Sequence, residues 1–356
     1  MRHKFHTIQY LRGFAAMLVL ASHALLYPLV EHDRGFGRLG WMGVILFFVI
    51  SGFIMVAVTG EGRFSATDFL RRRVIRVVPL YWMATLLAAA LALLAPHLFK
   101  TTVYDGTQLV LSLLFVPFHN AASGGIHPLY KLGWTLNYEM FFYVCFALLA
   151  FLGMGARVVW LTLAFGGLML LGLLLQPQAA IPQFYTSFIP MAFCAGAWLG
   201  LATVRGTLMR LSPPVLYAAA AIGLAGLVQG FAWGQGPLVE DGIAFIGLLL
   251  FASSLVLLAV HFDARLRPIA LLERIGDASY SIYLSHIYVV AILCDVAFRF
   301  FDRGDMVADY LVAILAIVVG VAVGWVLYSA VERPVLRRVT GIFGGKRKPL
   351  VAAPAE

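Results

Sequence analysis

The sequence predicts an all-α integral membrane protein of about ten transmembrane helices with both termini in the cytoplasm. Three observations carry this. Of the 356 residues, 62% come from the set Ala, Val, Ile, Leu, Met, Phe, Trp, Tyr and Cys, and only 12% are charged. An average soluble domain has about 45–50% apolar and about 25% charged residues. The apolar runs reach about 20 residues, the length a helix needs to cross the hydrocarbon layer and about twice that of a barrel strand. Finally, Lys and Arg collect on alternate connections between the runs. A soluble enzyme, a disordered chain, a collagen and a disulfide scaffold are excluded by these numbers.

Ten spans are read at roughly 11–30, 40–59, 78–96, 134–153, 157–176, 184–203, 213–231, 242–261, 278–300 and 307–330. The first follows Arg2 and Lys4 like a signal peptide, but its apolar run is long and no Ala-x-Ala site follows, so it reads as a retained helix. The stretch Thr107–Pro117 is too short for a span and reads as an interfacial or re-entrant piece. With an inside N-terminus, 20 of the 26 basic residues fall on inside segments and 6 on outside loops. This positive-inside bias sets the orientation. It also accounts for the net charge of +9 without nucleic acid. Cys145, Cys194 and Cys294 all lie in apolar spans and read as small apolar residues rather than a disulfide framework. One domain over residues 1–338 is followed by a basic tail, 339–356, read as disordered or lying on anionic membrane lipid.

Ionisable side chains at membrane depth are expensive and usually functional. Arg12 and His23 are eleven residues apart, about three turns, and so share a helix face about 16 Å apart along the axis. Arg12 is placed at the cytoplasmic mouth and His23 near mid-membrane. The plainer alternative is a snorkelling anchor and a helix-packing histidine. Arg73 and Arg76, three apart, face the same way on a helix, and paired guanidinium groups suit phosphate. Arg71 and Arg72 read as headgroup anchors. Glu139 is placed about five residues below the outer surface, among the interfacial aromatics Trp134, Tyr138 and Tyr143. The segment Ser279-Tyr-Ser-Ile-Tyr-Leu-Ser-His286 is unusually polar and must face the bundle interior. Its His286 is placed at the depth of His23. Asp295 reads as an i, i+4 partner of Arg299. No His-x-x-x-His spacing occurs on a span, so no metal is expected. Together these residues predict a cavity crossing the bilayer, with a phosphate-seeking inner end and proton chemistry in the middle.

Four motifs then carry a resemblance. They are Arg12 with His23 after ten residues; Arg73-Val-Ile-Arg76 followed by Pro79; Trp134-Thr-Leu-Asn137-Tyr-Glu139-Met-Phe-Phe-Tyr143; and Ser279 to His286, with Glu332-Arg333-Pro334 closing the last span. In this order the chain resembles the membrane-bound acyltransferase 3 family, in its exopolysaccharide and O-antigen O-acetyltransferase-like branch, over about residues 5 to 338. The resemblance implies a bacterial inner-membrane O-acyltransferase with no permanently bound cofactor. Its co-substrate would be cytoplasmic acetyl-CoA or another short acyl-CoA, such as succinyl-CoA. Its acceptor would be an envelope polysaccharide, exopolysaccharide or lipid-linked oligosaccharide on the outer side.

On this reading Arg12, Arg73 and Arg76 hold the donor phosphates. His23 acts as general base or transient acyl carrier, Glu139 orients a histidine or holds the sugar, and Tyr280, Tyr283 or His286 supplies an oxyanion donor. Trp134 and Asn137 are further substrate-binding candidates. A proton-coupled transporter or flippase of an envelope precursor is the alternative, because buried His and Glu on ten spans fit a carrier as well. Against it stand the clustering of arginines at one mouth and the lack of paired broken spans.

Overall fold

A computed structural model describes residues 5–29, 35–96, 102–232, 242–301 and 305–343. Among the described residues there are thirteen α-helices: α1 His6–Leu26, α2 Phe36–Thr59, α3 Ala66–Leu94, α4 Gly106–Leu113, α5 Trp134–Leu148, α6 Met154–Leu175, α7 Ala180–Tyr185, α8 Met191–Val204, α9 Pro213–Ala232, α10 Gly242–Phe262, α11 Ala270–Ala297, α12 Met306–Leu327 and α13 Arg333–Phe343. A two-residue hairpin pairs His119–Asn120 with Gly125–Ile126 in antiparallel register. Among the described residues, eight helices are long and apolar enough to cross a membrane: α1, α2, α3, α6, α9, α10, α11 and α12.

The expected fourth and sixth spans appear as shorter helices. α5 has 15 residues and α8 has 14, about 21–23 Å of rise each. The reason lies in what precedes them. α4 is an eight-residue helix capped by Asp105, whose side chain accepts from Gln108 N at 2.7 Å. The chain then folds back against the bundle. Tyr81 Oη donates to Ser112 O at 3.0 Å, Leu129 N donates to Ser112 Oγ at 2.8 Å, and Tyr130 Oη donates to Leu284 O at 2.6 Å. This segment supplies packing that a full-length helix would otherwise provide, so α5 starts inside the bundle. α7 does the same ahead of α8.

Other boundaries also differ from the sequence reading. α3 opens at Ala66, capped by Ser65 Oγ accepting from Asp68 N, and carries Arg71 to Arg76 in its first turns with Pro79 inside the helix. α1 ends at Leu26, so His23 lies in its last turn and not midway along it. α11 starts at Ala270, eight residues ahead of the expected span, which puts His286 near the helix middle. The basic tail expected over 339–356 begins as the end of α13; residues 344–356 lie outside the described residues.

The core runs through α1, α2, α5, α8, α10 and α11. α2 and α8 approach until backbones touch. A Cβ on Gly52 would collide with Phe193 O, and one on Gly196 would collide with Val49 O. Small residues at such crossings allow the close packing that drives helix association in lipid. α1 and α11 meet likewise, with Gly276 against Gln9 O. Arg157, 0% exposed, donates to Thr59 Oγ1, Gly62 O and Leu152 O and lies over the Phe64 and Phe146 rings. It clasps the α2–α3 and α5–α6 connections and takes no part in the cavity described next.

Candidate active site

A cavity of about 250 Å³ opens between α1, α2, α3, α5 and α11. Its polar wall holds Gln9, Arg12, Arg73, Arg76 and Glu139; its apolar wall is a stripe of α2 that includes Phe47, Ile50 and Ile54. All four sequence motifs therefore contribute residues here, the first through Arg12 and the fourth through Ser279, Tyr280 and Tyr283, while His23 and His286 lie outside the lining.

The three arginines differ. Arg76 Nη1 lies 3.4 Å from Glu332 Oε1, and Glu332 is 2% exposed, with its other oxygen accepting from Ser281 Oγ at 2.6 Å. Arg12 donates only to Gln9 Oε1, at 3.2 Å. Arg73 lies over the rings of Phe69 and Tyr143, and its buried Nε has no hydrogen-bond partner. Among the described residues no carboxylate pairs with Arg12 or Arg73. The cavity thus carries three guanidinium groups and one carboxylate, Glu139, a surplus of positive charge.

Glu139 does not stand apart near the outer surface as the sequence suggested. It lines the same cavity as the arginines, accepts from Tyr143 Oη, and receives a 3.5 Å contact from Ser51 Oγ. The shift follows from α5 beginning inside the bundle. Neither histidine hydrogen-bonds to it among the described residues.

His23 and His286 form a pair of their own, and neither lines the cavity. Their ring centroids are 5.0 Å apart, with His286 Nε2 at 3.3 Å from His23 Nδ1. His286 is 0% exposed, whereas His23 is half-buried. The continuous bilayer-crossing cavity is thus interrupted. Tyr283 is the divider: it lines the cavity, stands 5.9 Å from His286 and 5.9 Å from Phe47 by ring centroids, and is held by Thr135 Oγ1 at 2.7 Å and Leu132 O at 3.1 Å.

The remaining candidates divide in the same way. Tyr280 lines the cavity with its hydroxyl donated to Val77 O at 2.7 Å. Trp134 packs among Trp41, Phe48 and Tyr138. Asn137 is 1% exposed and its Oδ1 has no partner. Asp295 pairs with Arg299 at 2.6 Å, away from both regions. The sequence reading gave no role to Glu332, Gln9, Ser51, Thr135 or Phe47. For Glu332 the available signal was a lone carboxylate closing a span beside a basic segment. Thr135 lies inside the Trp134 to Tyr143 motif without a role of its own, and Phe47 sits in an apolar run where nothing marks it.

The fold and the cavity define a class: a multi-pass, helical membrane protein with an arginine-lined cavity next to a buried histidine pair. Residues 5–329 match the acyltransferase domain model of the acyltransferase 3 family, and the chain belongs to that family. It is a membrane O-acyltransferase. The chain is 32% identical over 316 residues to the exopolysaccharide production protein ExoZ of Rhizobium meliloti, covering 88% of this chain and 95% of that protein. It is 24% identical over 373 residues to the acyltransferase MdmB of Streptomyces mycarofaciens, covering 97% and 93%. No solved structure matches the chain. Family membership favours group transfer over the carrier reading of the buried His and Glu.

Proposed function

We propose that the protein transfers a short acyl group, acetyl first among the options, from acyl-CoA at the cytoplasmic side of the inner membrane to a hydroxyl of an envelope or extracellular polysaccharide. The observation that carries this reading is a pair of guanidinium groups, Arg12 and Arg73, neither in a salt bridge with a carboxylate among the described residues, on a cavity that also carries an apolar stripe of α2. A nucleotide-linked thioester has this polarity: phosphates at one end, a thin pantetheine arm at the other.

In this mechanism Arg73, Arg12 and Arg76 hold the phosphates, and Glu139 keeps the arginines oriented without neutralising them all. The pantetheine arm lies along α2, and Tyr280 and Ser279 shape its path. The thioester arrives at the wall formed by Tyr283, Thr135 and Phe47, and rotation of the Tyr283 and Phe47 rings opens the way to His23. A sugar hydroxyl gives its proton to His23 Nε2 as its oxygen bonds to the thioester carbonyl carbon. The C–S bond then breaks, and His23 returns the proton to the departing thiolate. Attack by His23 itself, giving an acyl-imidazole that the sugar discharges, uses the same positions. Trp134, at the start of α5, is the acceptor contact on this reading, with Asn137 three residues on, whose buried Oδ1 has no partner, as the second candidate.

The test compares the polysaccharide of a host with and without the gene by NMR, and follows label from [¹⁴C]acetyl-CoA onto that glycan in membranes. Loss of one ester substituent on deletion, with label incorporated by the intact membranes, is the expected result. Unchanged esterification, or label carried across the membrane in an intact solute, refutes the reading.

A further inference from the structure

We infer that His286 is a positioning residue that fixes the working nitrogen of His23, an inference that rests on His23 being the base. His286 Nδ1 lies 2.7 Å from Tyr283 O and 3.3 Å from Ile282 O. Carbonyls only accept, so Nδ1 carries the proton and Nε2 of the neutral ring is a lone pair. That lone pair points at His23 Nδ1, 3.3 Å away. His23 Nδ1 is also 2.9 Å from Val19 O, a second pure acceptor. Both neighbours demand a hydrogen at His23 Nδ1. The lone pair of His23 is therefore at Nε2, which has no hydrogen-bond partner among the described residues.

The arrangement has the logic of a nucleophile, a base and an orienting group, with a neutral imidazole in the third place. When His23 Nε2 accepts the hydroxyl proton, the positive charge is shared with an N–H already aimed at the His286 lone pair. The net proton stays on His23 Nε2 and leaves with the thiol. A fully buried carboxylate in the place of His286 would carry a large desolvation cost in the resting state. A buried imidazole avoids it, because both of its nitrogens are satisfied without charge. The backbone carbonyls of α11 set the His286 tautomer, so the pair is oriented by helix geometry and not by a further ionisable group.

The experiment expresses full-length variants in a deletion host and follows, by NMR after induction, the initial rate at which ester appears on the host polysaccharide, at matched membrane levels. In His286→Gln the amide oxygen can still accept from His23 Nδ1; His286→Phe keeps the ring volume and loses the acceptor. The Gln variant is expected within about tenfold of the parent rate, and the Phe variant about 100-fold below it, the scale of a misplaced catalytic group. A Gln rate less than about tenfold above the Phe rate overturns the inference. Nitrogen-15 histidine spectra of the purified full-length parent protein give a second measurement, which holds even if the Phe variant fails to reach the membrane. His23 should show a protonated Nδ1 and an unprotonated Nε2, and the reverse assignment also overturns it. A His23→Ala control separates the two levels. If it is fully active the base reading itself fails, whereas an inactive control with equal Gln and Phe rates removes only the role of His286.

Discussion

The arginine-lined cavity and the histidine pair are built on opposite principles, although Tyr283 belongs to both. In the cavity, polar groups are left with unused capacity: among the described residues Arg12 and Arg73 make no salt bridge to a carboxylate, and Arg73 Nε and Ser279 Oγ have no hydrogen-bond partner. Each buried orphan costs about 1–3 kcal/mol in the empty protein. In the pair, every ring nitrogen but His23 Nε2 is committed to a carbonyl or to the other ring. On the proposed mechanism the first receives the donor and keeps hydrogen bonds open for it, and the second moves one proton from a geometry settled beforehand. Arg157 completes the contrast: it is a buried arginine away from the cavity whose two terminal nitrogens donate to three oxygens and whose guanidinium stacks on two rings, although its Nε, like that of Arg73, has no partner.

This contrast can be broken experimentally. The largest effect is expected for His23→Ala, with acyl transfer falling about 10³-fold while the protein still inserts and its donor affinity holds. Transfer at the parent rate would remove the histidine pair from the chemistry altogether. Next comes Arg76→Ala, which strands the buried Glu332 carboxylate. It should lower thermal stability in detergent by about 1–3 kcal/mol, and Arg76→Ala combined with Glu332→Ala should recover part of that loss. Arg73→Ala separates binding from folding, because Arg73 has no counter-ion to strand. The KM for acyl-CoA should rise about tenfold, in keeping with the loss of one or two charge-assisted hydrogen bonds, with unfolding unchanged; an unaltered donor KM would take Arg73 out of the phosphate site. The smallest effect is expected at the divider. Thr135→Val removes one contact to the Tyr283 hydroxyl and should cost about 1 kcal/mol of stability with donor KM unchanged. A donor KM that moved with Thr135 would mean the wall is part of the phosphate region after all.

Much of this was legible along the chain. The apolar runs located all eight long helices, because a helix in lipid must satisfy its own backbone and so needs a continuous apolar stretch. The i, i+3 spacing of Arg73 and Arg76 agrees with both lining the cavity, whereas of Arg12 and His23 only Arg12 lines it and His23 meets His286 instead. Depth was less legible. Glu139 was counted down from an outer surface on the premise that α5 crosses alone, and a re-entrant segment held by Tyr81, Ser112 and Tyr130 moved the start of that helix inward. His23 was set at mid-membrane by a span starting at residue 11, whereas the helix begins at His6 and ends one turn past the histidine. Glu332 reaches Arg76 only because a π-helical turn, Tyr328–Glu332, directs that carboxylate inward between α12 and α13.

By itself, then, the sequence determined the class, the helices and the short list of expensive residues. Those follow from local quantities, namely hydrophobic length, helical period and the cost of charge in lipid. Only the tertiary structure decided that Arg73 stays unpaired while Arg76 does not, that Glu139 joins the arginines, and that the two histidines meet each other behind Tyr283. Those outcomes depend on which helix faces which and at what height. That is settled by close approaches such as Gly52 on Phe193 and Gly276 on Gln9, contacts between residues that no periodicity along one helix can report.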